Sequence, residues 1–127
     1  MEQIQVISTF TEKLDSGDYV IFLGDWLHAQ GKKIDRDVYY LAYAAFEEIA
    51  AKAKLIVIPG NHDIYNGRIS ILRPLRKIAK VVDRPWKLDL GGDSFYCIPY
   101  TESRQAFLGM IKYLKGEEGV SILCSHI

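Results

Sequence analysis

Two short apolar runs, each breaking at glycine into a polar loop, constrain this chain more than any other feature. Tyr19-Val20-Ile21-Phe22-Leu23 ends in Gly24-Asp25, and Leu55-Ile56-Val57-Ile58 ends in Pro59-Gly60-Asn61-His62-Asp63. Apolar runs this short, rich in β-branched and aromatic residues and without polar alternation, read as strands buried on both faces, and such strands belong to parallel sheets covered by helices. Between them Val38, Leu41, Ala42, Ala45, Phe46 and Ile49 recur at helical spacing, with Asp35 or Asp37 available as an N-cap. Before them Ile7, Phe10 and Leu14 mark a helix over residues 2–16, with Gly17 as its stop. The order is therefore α-β-α-β. A right-handed crossover lays the two strands side by side and parallel, so both loops leave the same edge of the sheet and Asp25 is expected to meet Asn61 and His62.

Further along, residues 70–79 read as a short helix, and Val81-Val82, residues 86–90 and residues 94–98 as strands, with Gly91-Gly92 as a hairpin turn. Phe107, Ile111 and Leu114 mark another helix, and Val120-Ser121-Ile122-Leu123-Cys124 a last strand that delivers Ser125-His126. The whole is one domain over residues 1–127. At 127 residues and 49% hydrophobic composition the chain can bury a core without disulfides, which excludes a disordered or disulfide-stapled class. Its longest apolar stretches fall far short of the roughly 18 residues that span a bilayer, and the N-terminus lacks the pattern of a signal peptide. A cytoplasmic setting with no membrane partner is the expectation. Cys97 and Cys124 each sit in an apolar run and are read as buried thiols rather than a bridge or a metal pair.

Sixteen basic and sixteen acidic residues cancel overall but not locally. Residues 1–63 carry six bases and ten acids, 64–88 seven bases and one acid, and 89–127 three bases and five acids, giving −4, +6 and −2. The basic island comprises Arg68, Arg73, Arg76, Lys77, Lys80, Arg84 and Lys87. On a helix Arg73, Arg76, Lys77 and Lys80 would share one face, either as a phosphate track or as solvated charge on the back of the core. Tyr39, Tyr40 and Tyr43 fit packing better than base stacking.

Three strand ends present Asp25, Asn61-His62-Asp63 and His126, an oxygen, amide and imidazole set suited to a borderline divalent metal such as Mn, Fe or Zn. Taken singly, each also fits a turn or cap residue. Together, Gly24-Asp25, Gly60-Asn61-His62-Asp63 and His126, in that order and each at a strand end, resemble three of the five blocks of the calcineurin-like metallophosphoesterase superfamily. The family's first block, Asp-x-His, has no match here, since Trp26, Gly60 and Cys124 stand two positions before the three histidines. Its last, Gly-His-x-His, would lie beyond Ile127.

The resemblance implies a partial four-layer αββα sandwich of two mixed sheets flanked by helices, missing its first strand and C-terminal part. It also implies hydrolysis of a phosphoester at two divalent ions, Mn²⁺ foremost. Asp25 would bridge the two ions, Asn61 and His126 would bind the second, and His62 would protonate the leaving oxygen with Asp63 orienting its imidazole. His28, four residues after Gly24, and Ile98-Pro99-Tyr100 are similar to the DNA-repair exonuclease branch; an exposed loop histidine and a packed tyrosine are the plainer readings. Nucleic acid is thus the expected substrate, with His28, Arg73 and Arg76 as candidate contacts. A partner subunit is a further expectation, and the 127-residue chain alone is expected to be inactive. A non-catalytic binding module of the same fold and a small-molecule phosphoesterase are the alternatives.

Overall fold

The computed structural model describes residues 2–27, 33–65, 69–114 and 121–126. The first helix, α1 (Glu2–Glu12), is followed by β1 (Tyr19–Phe22), α2 (Arg36–Lys52) and β2 (Lys54–Val57). β1 and β2 pair in parallel with Tyr19 opposite Lys54 and Phe22 opposite Val57, so the loops that follow them emerge together as expected. Next comes a two-residue hairpin, β3 (Ile64–Tyr65) with β4 (Ile69–Ser70), and then β5 (Lys80–Val81), which adds in parallel to the far side of β2. The second sheet holds β6 (Trp86–Leu90), β7 (Asp93–Ile98) and β8 (Ser121–Ser125), with α3 (Arg104–Leu114) between the last two. β7 runs antiparallel to β6 and parallel to β8. Gly91 and Gly92, both at positive φ (56° and 88°), make the tight turn that the right-handed twist of a hairpin favours.

The layers follow from alternation along β2. Leu55 and Val57 face Phe46 and Ile49 of α2, together with Leu72, Leu75 and Val81, and Ile7 and Leu14 pack against the same cluster. Ile56 and Ile58 point the other way, into Val82, Cys97, Cys124, Trp86, Leu88 and Phe95, which is the interior between the two sheets. Tyr96 and Ile98 of β7 are buried on the remaining face, against which α3 packs. The molecule is thus a helix–sheet–sheet–helix sandwich. The second sheet is mixed, whereas the described strands of the first are parallel throughout.

Several local expectations are revised. α1 stops at Glu12 because the Asp15–Asp18 turn closes on itself: the Asp15 amide donates to the Asp18 carboxylate (2.8 Å) and the Asp18 amide to the Asp15 carbonyl (3.0 Å). α2 begins at the Asp35 cap, whose carboxylate accepts from the amides of Asp37 (2.8 Å) and Val38 (3.3 Å). Its first half is rotated from the expected stripe. Val38 and Leu41 are 50% and 42% exposed, and Tyr39 and Tyr43 turn inward instead. Trp26 draws Tyr39 in, with ring centroids 5.2 Å apart, and the Tyr39 hydroxyl donates to the Ile71 carbonyl (3.3 Å). Burial, followed by the neighbouring Tyr43, pushes the Tyr39 phenol above its ordinary pKa. Tyr40 alone of the three tyrosines is largely exposed.

The expected helix over residues 70–79 is instead a 3₁₀ turn, Arg73–Lys77, leading into β5. Leu72, Leu75 and Ile78 fall three residues apart, the repeat at which 3₁₀ side chains stack, and the Leu75 and Ile78 amides donate three residues back at 2.9 and 3.0 Å. Lys80 therefore belongs to a strand, and the four-cation helical face does not form.

Candidate active site

Four strand ends converge on one edge of the sandwich. β1 leads into Leu23-Gly24-Asp25, β2 into Pro59-Gly60 and the 3₁₀ turn Asn61–Asp63, β7 into Pro99-Tyr100, and β8 into His126. The two sheets are tied there by the Tyr100 amide, which donates to the Pro59 carbonyl (3.1 Å). Glycine is required where the loops cross. A Cβ on Gly24, itself at φ 95°, would stand 2.6 Å from the Gly60 nitrogen, and one on Gly60 would stand 2.7 Å from the Asp25 nitrogen. Asp25 follows at φ 58°, the one left-handed non-glycine among the described residues.

The side chains meet over this backbone contact. Asp25 Oδ1 accepts from the His62 amide (3.1 Å), while Oδ2 lies 3.4 Å from His126 Nε2 and 3.7 Å from His62 Nδ1. His126 Nδ1 lies 3.0 Å from the Leu23 carbonyl and Nε2 lies 2.9 Å from Asn61 Oδ1. A carbonyl can only accept, so it places the imidazole hydrogen on Nδ1 and leaves the Nε2 lone pair facing Asn61 and Asp25 in the neutral ring. An imidazole held through one nitrogen, with the lone pair of the other turned toward oxygen donors, is the arrangement of a metal-ligating histidine. Tyr100 stands edge-on to the same ring, with centroids 6.1 Å apart.

Asp63 lies beneath, with no exposed surface. Its carboxylate accepts from the amides of Asp25 (2.8 Å), Trp26 (2.8 Å) and Gly60 (2.7 Å). Burial pushes this carboxyl above its ordinary pKa, and the three amides pull the other way. Asp63, expected to orient the His62 imidazole, has its carboxylate taken up by these three main-chain amides; Asp25 Oδ2 stands 3.7 Å from His62 Nδ1.

The two oxygens that approach His126 Nε2 stand at separations from it that suit a shared cation. Two ligands about 2.1 Å from one ion and at right angles to each other stand about 3.0 Å apart, close to the 2.9 and 3.4 Å that separate Nε2 from the Asn61 and Asp25 oxygens. Two lone pairs 2.9 Å apart also repel unless a cation or a proton lies between them. Among the described residues no three His, Cys, Asp or Glu side chains form a metal-binding group; the set reaches three donors through the Asn61 amide oxygen.

Asp25, Asn61, His62, Asp63 and His126 are thus brought together as the sequence predicts, while His28 and Arg68 lie outside the described residues. Three of the six described residues of the basic island are engaged within the chain. Arg76 pairs with Asp83 at 2.5 Å, Lys80 lies 5.2 Å from the Trp86 ring centroid, and Lys87 pairs with Asp89 at 3.5 Å. The Arg73 side chain makes no hydrogen bond or ion pair among the described residues. Sequence reasoning missed the Leu23 carbonyl and the Trp26 amide. Main-chain groups leave no signature in residue type; only the glycines on either side of the crossing hinted at a close backbone approach.

The family model for calcineurin-like phosphoesterase matches residues 2–126 of this chain. A search of curated proteins found no match.

Proposed function

The chain belongs to the calcineurin-like phosphoesterase family, whose chemistry is metal-dependent hydrolysis of phosphoesters, and from that premise we propose a phosphodiesterase that cleaves DNA, of the DNA-repair exonuclease kind. The observation that carries the site is the approach of Asn61 Oδ1 and Asp25 Oδ2 to His126 Nε2, at 2.9 and 3.4 Å, at the C-terminal ends of β2, β1 and β8. These residues would hold a divalent ion, Mn²⁺ foremost, and Asp25 would be shared with a second. Such ions would supply Lewis acidity toward the phosphoryl oxygens and lower the pKa of bound water.

The chain's own groups do the rest. The His62 imidazole, partly exposed beside Asp25, is placed to hand a proton to the departing oxygen. The Leu23 carbonyl holds His126 in one tautomer, and Tyr100 limits the sway of that ring. A small phosphoester is the second reading. It is favoured by the pairing of Arg76 and Lys87 with carboxylates and of Lys80 with Trp86, which removes counter-charge that a polyanion would use.

The test is turnover with Mn²⁺ on DNA, on bis(p-nitrophenyl) phosphate and on p-nitrophenyl phosphate, alongside metal content. The proposal expects both diesters to be cleaved faster than the monoester. In Asp25→Asn, Mn²⁺ affinity should fall by more than the roughly 10- to 100-fold typical of a residue that only supports a ligand. Metal uptake and turnover unchanged in Asp25→Asn would remove the site, and cleavage of the monoester alone would move the substrate to the second reading.

A further inference from the structure

The residue that organises this site touches none of the space where a substrate would lie. Asp63 has no exposed surface, and both its carboxylate oxygens are committed to main-chain amides. Two of the donors, Asp25 and Trp26, are 38 and 37 residues away in the other strand-end loop, and the third, Gly60, is three residues away in its own. Hydrogen bonds to an ionised carboxylate are about twice as strong as neutral ones. The choice of donors matters more than their number. The amides of Asp25 and Trp26 flank the Asp25 Cα, so holding both on one carboxylate fixes the peptide planes on either side of it and keeps its backbone at φ 58°. The Gly60 amide sets the start of the turn that carries Asn61. One buried side chain thus locks the two backbones that supply two of the three converging donors.

We propose that Asp63 is a positioning residue, a clamp that aims Asp25 and Asn61 before any cation arrives, and that it does not act on the His62 imidazole. This rests on the metal-site reading above. Without the clamp the described ties beyond the strand pairing are the Asp25 carboxylate's bond to the His62 amide and the His126 bridge from the Leu23 carbonyl to Asn61 Oδ1, and both use side chains that a metal ion would engage. A left-handed aspartate whose amides are free relaxes toward ordinary backbone and swings its carboxylate away.

Two measurements separate the failure of this inference from failure of the site. The first uses the wild-type protein without metal. Amide hydrogen exchange at Asp25, Trp26 and Gly60 should be slow although all three lie in loops, and exchange as fast as at the exposed loop residue Glu102 would overturn the clamp whether or not the protein binds Mn²⁺. The second uses Asp63→Asn, which keeps one acceptor oxygen and puts an NH₂ where the other stood. Exchange should quicken at the amide facing the NH₂ while the core strands keep their protection, a pattern that general destabilisation does not produce. Mn²⁺ affinity should drop about 10- to 100-fold, with the ratio of rates for good and poor leaving groups unchanged. Wild-type Mn²⁺ affinity in that variant, or a new dependence on the leaving group like that of a missing proton donor, would overturn the proposal. Should the variant fail to fold, the wild-type exchange pattern decides.

Discussion

His62 stands apart from the other residues at this edge because its main chain and side chain serve different ends. Its amide donates to Asp25 Oδ1 at 3.1 Å and so steadies a metal ligand, whereas its imidazole Nδ1 stands 3.7 Å from Asp25 Oδ2, too far for a hydrogen bond. Removing the ring leaves the amide in place. His62→Ala should therefore keep wild-type Mn²⁺ affinity while losing about 10²- to 10⁴-fold in turnover, the usual worth of a positioned acid. A substrate with a very good leaving group needs little protonation and should recover part of that loss. Equal losses on good and poor leaving groups, measured by steady-state kinetics on a series of aryl phosphodiesters, would take the proton-donor role away from His62.

The stretch from Arg73 to β5 shows how an element redistributes charge. Four cations that an α-helix would gather on one face are dispersed: Arg73, Arg76 and Lys77 stay on the 3₁₀ turn, where only residues three apart eclipse, and the exposed Lys80 lies over the Trp86 ring. Of the two arginines, Arg76 is already neutralised by Asp83 at 2.5 Å. If DNA runs along this turn, Arg73→Gln should lower the slope of log affinity against log salt by about 0.7 to 0.9, the share of one phosphate contact, and Arg76→Gln by much less. Fluorescence anisotropy with a labelled oligonucleotide between 50 and 200 mM salt, a range in which such contacts are resolved, reads the slopes. Identical slopes in wild type and Arg73→Gln would place the turn away from the substrate.

For the molecule as a whole, the interior between the sheets carries a titratable pair. Cys97 and Cys124 face each other in register on β7 and β8, both buried. Burial, followed by the neighbouring Cys124, pushes the Cys97 thiol up to about 12 from an ordinary 9.0, and burial raises Cys124 in the same direction. A thiol that keeps its proton longer when folded binds more protons in the native than in the unfolded state between those two values. Its contribution is therefore complete below pH 9 and is lost as pH rises toward 12, at up to about 1.4 kcal/mol per pH unit. Urea unfolding at pH 8 and pH 10 should show wild type losing more stability than Cys97→Ala over that interval, and equal losses would refute the buried-thiol account. No helix among the described residues is long and apolar enough to cross a membrane.

What could be read along the chain was whatever depends on neighbours a few residues away. Apolar runs, the helical repeat of Ala42, Phe46 and Ile49, and the glycine breaks after Leu23 and Ile58 are local signals, and they located both strands, the crossover and the loops that carry Asp25, Asn61, His62 and His126. Local signals are ambiguous where two periods fit the same residues. Leu72, Leu75 and Ile78 suit an α-helix and a 3₁₀ turn alike, and the packing of buried Leu72 and Leu75 with half-buried Ile78 against Val81 and its neighbours goes with the tighter one. Nor can residue type reveal a partner that is a main-chain amide. Asp63 reads as the companion of its neighbour His62 until β1 arrives beside β2 and offers the amides of Asp25 and Trp26. Hydrophobic burial is non-directional and survives reading as a pattern, whereas a hydrogen bond needs a named donor at 2.8 Å, and for Asp63 that donor comes from 38 residues away.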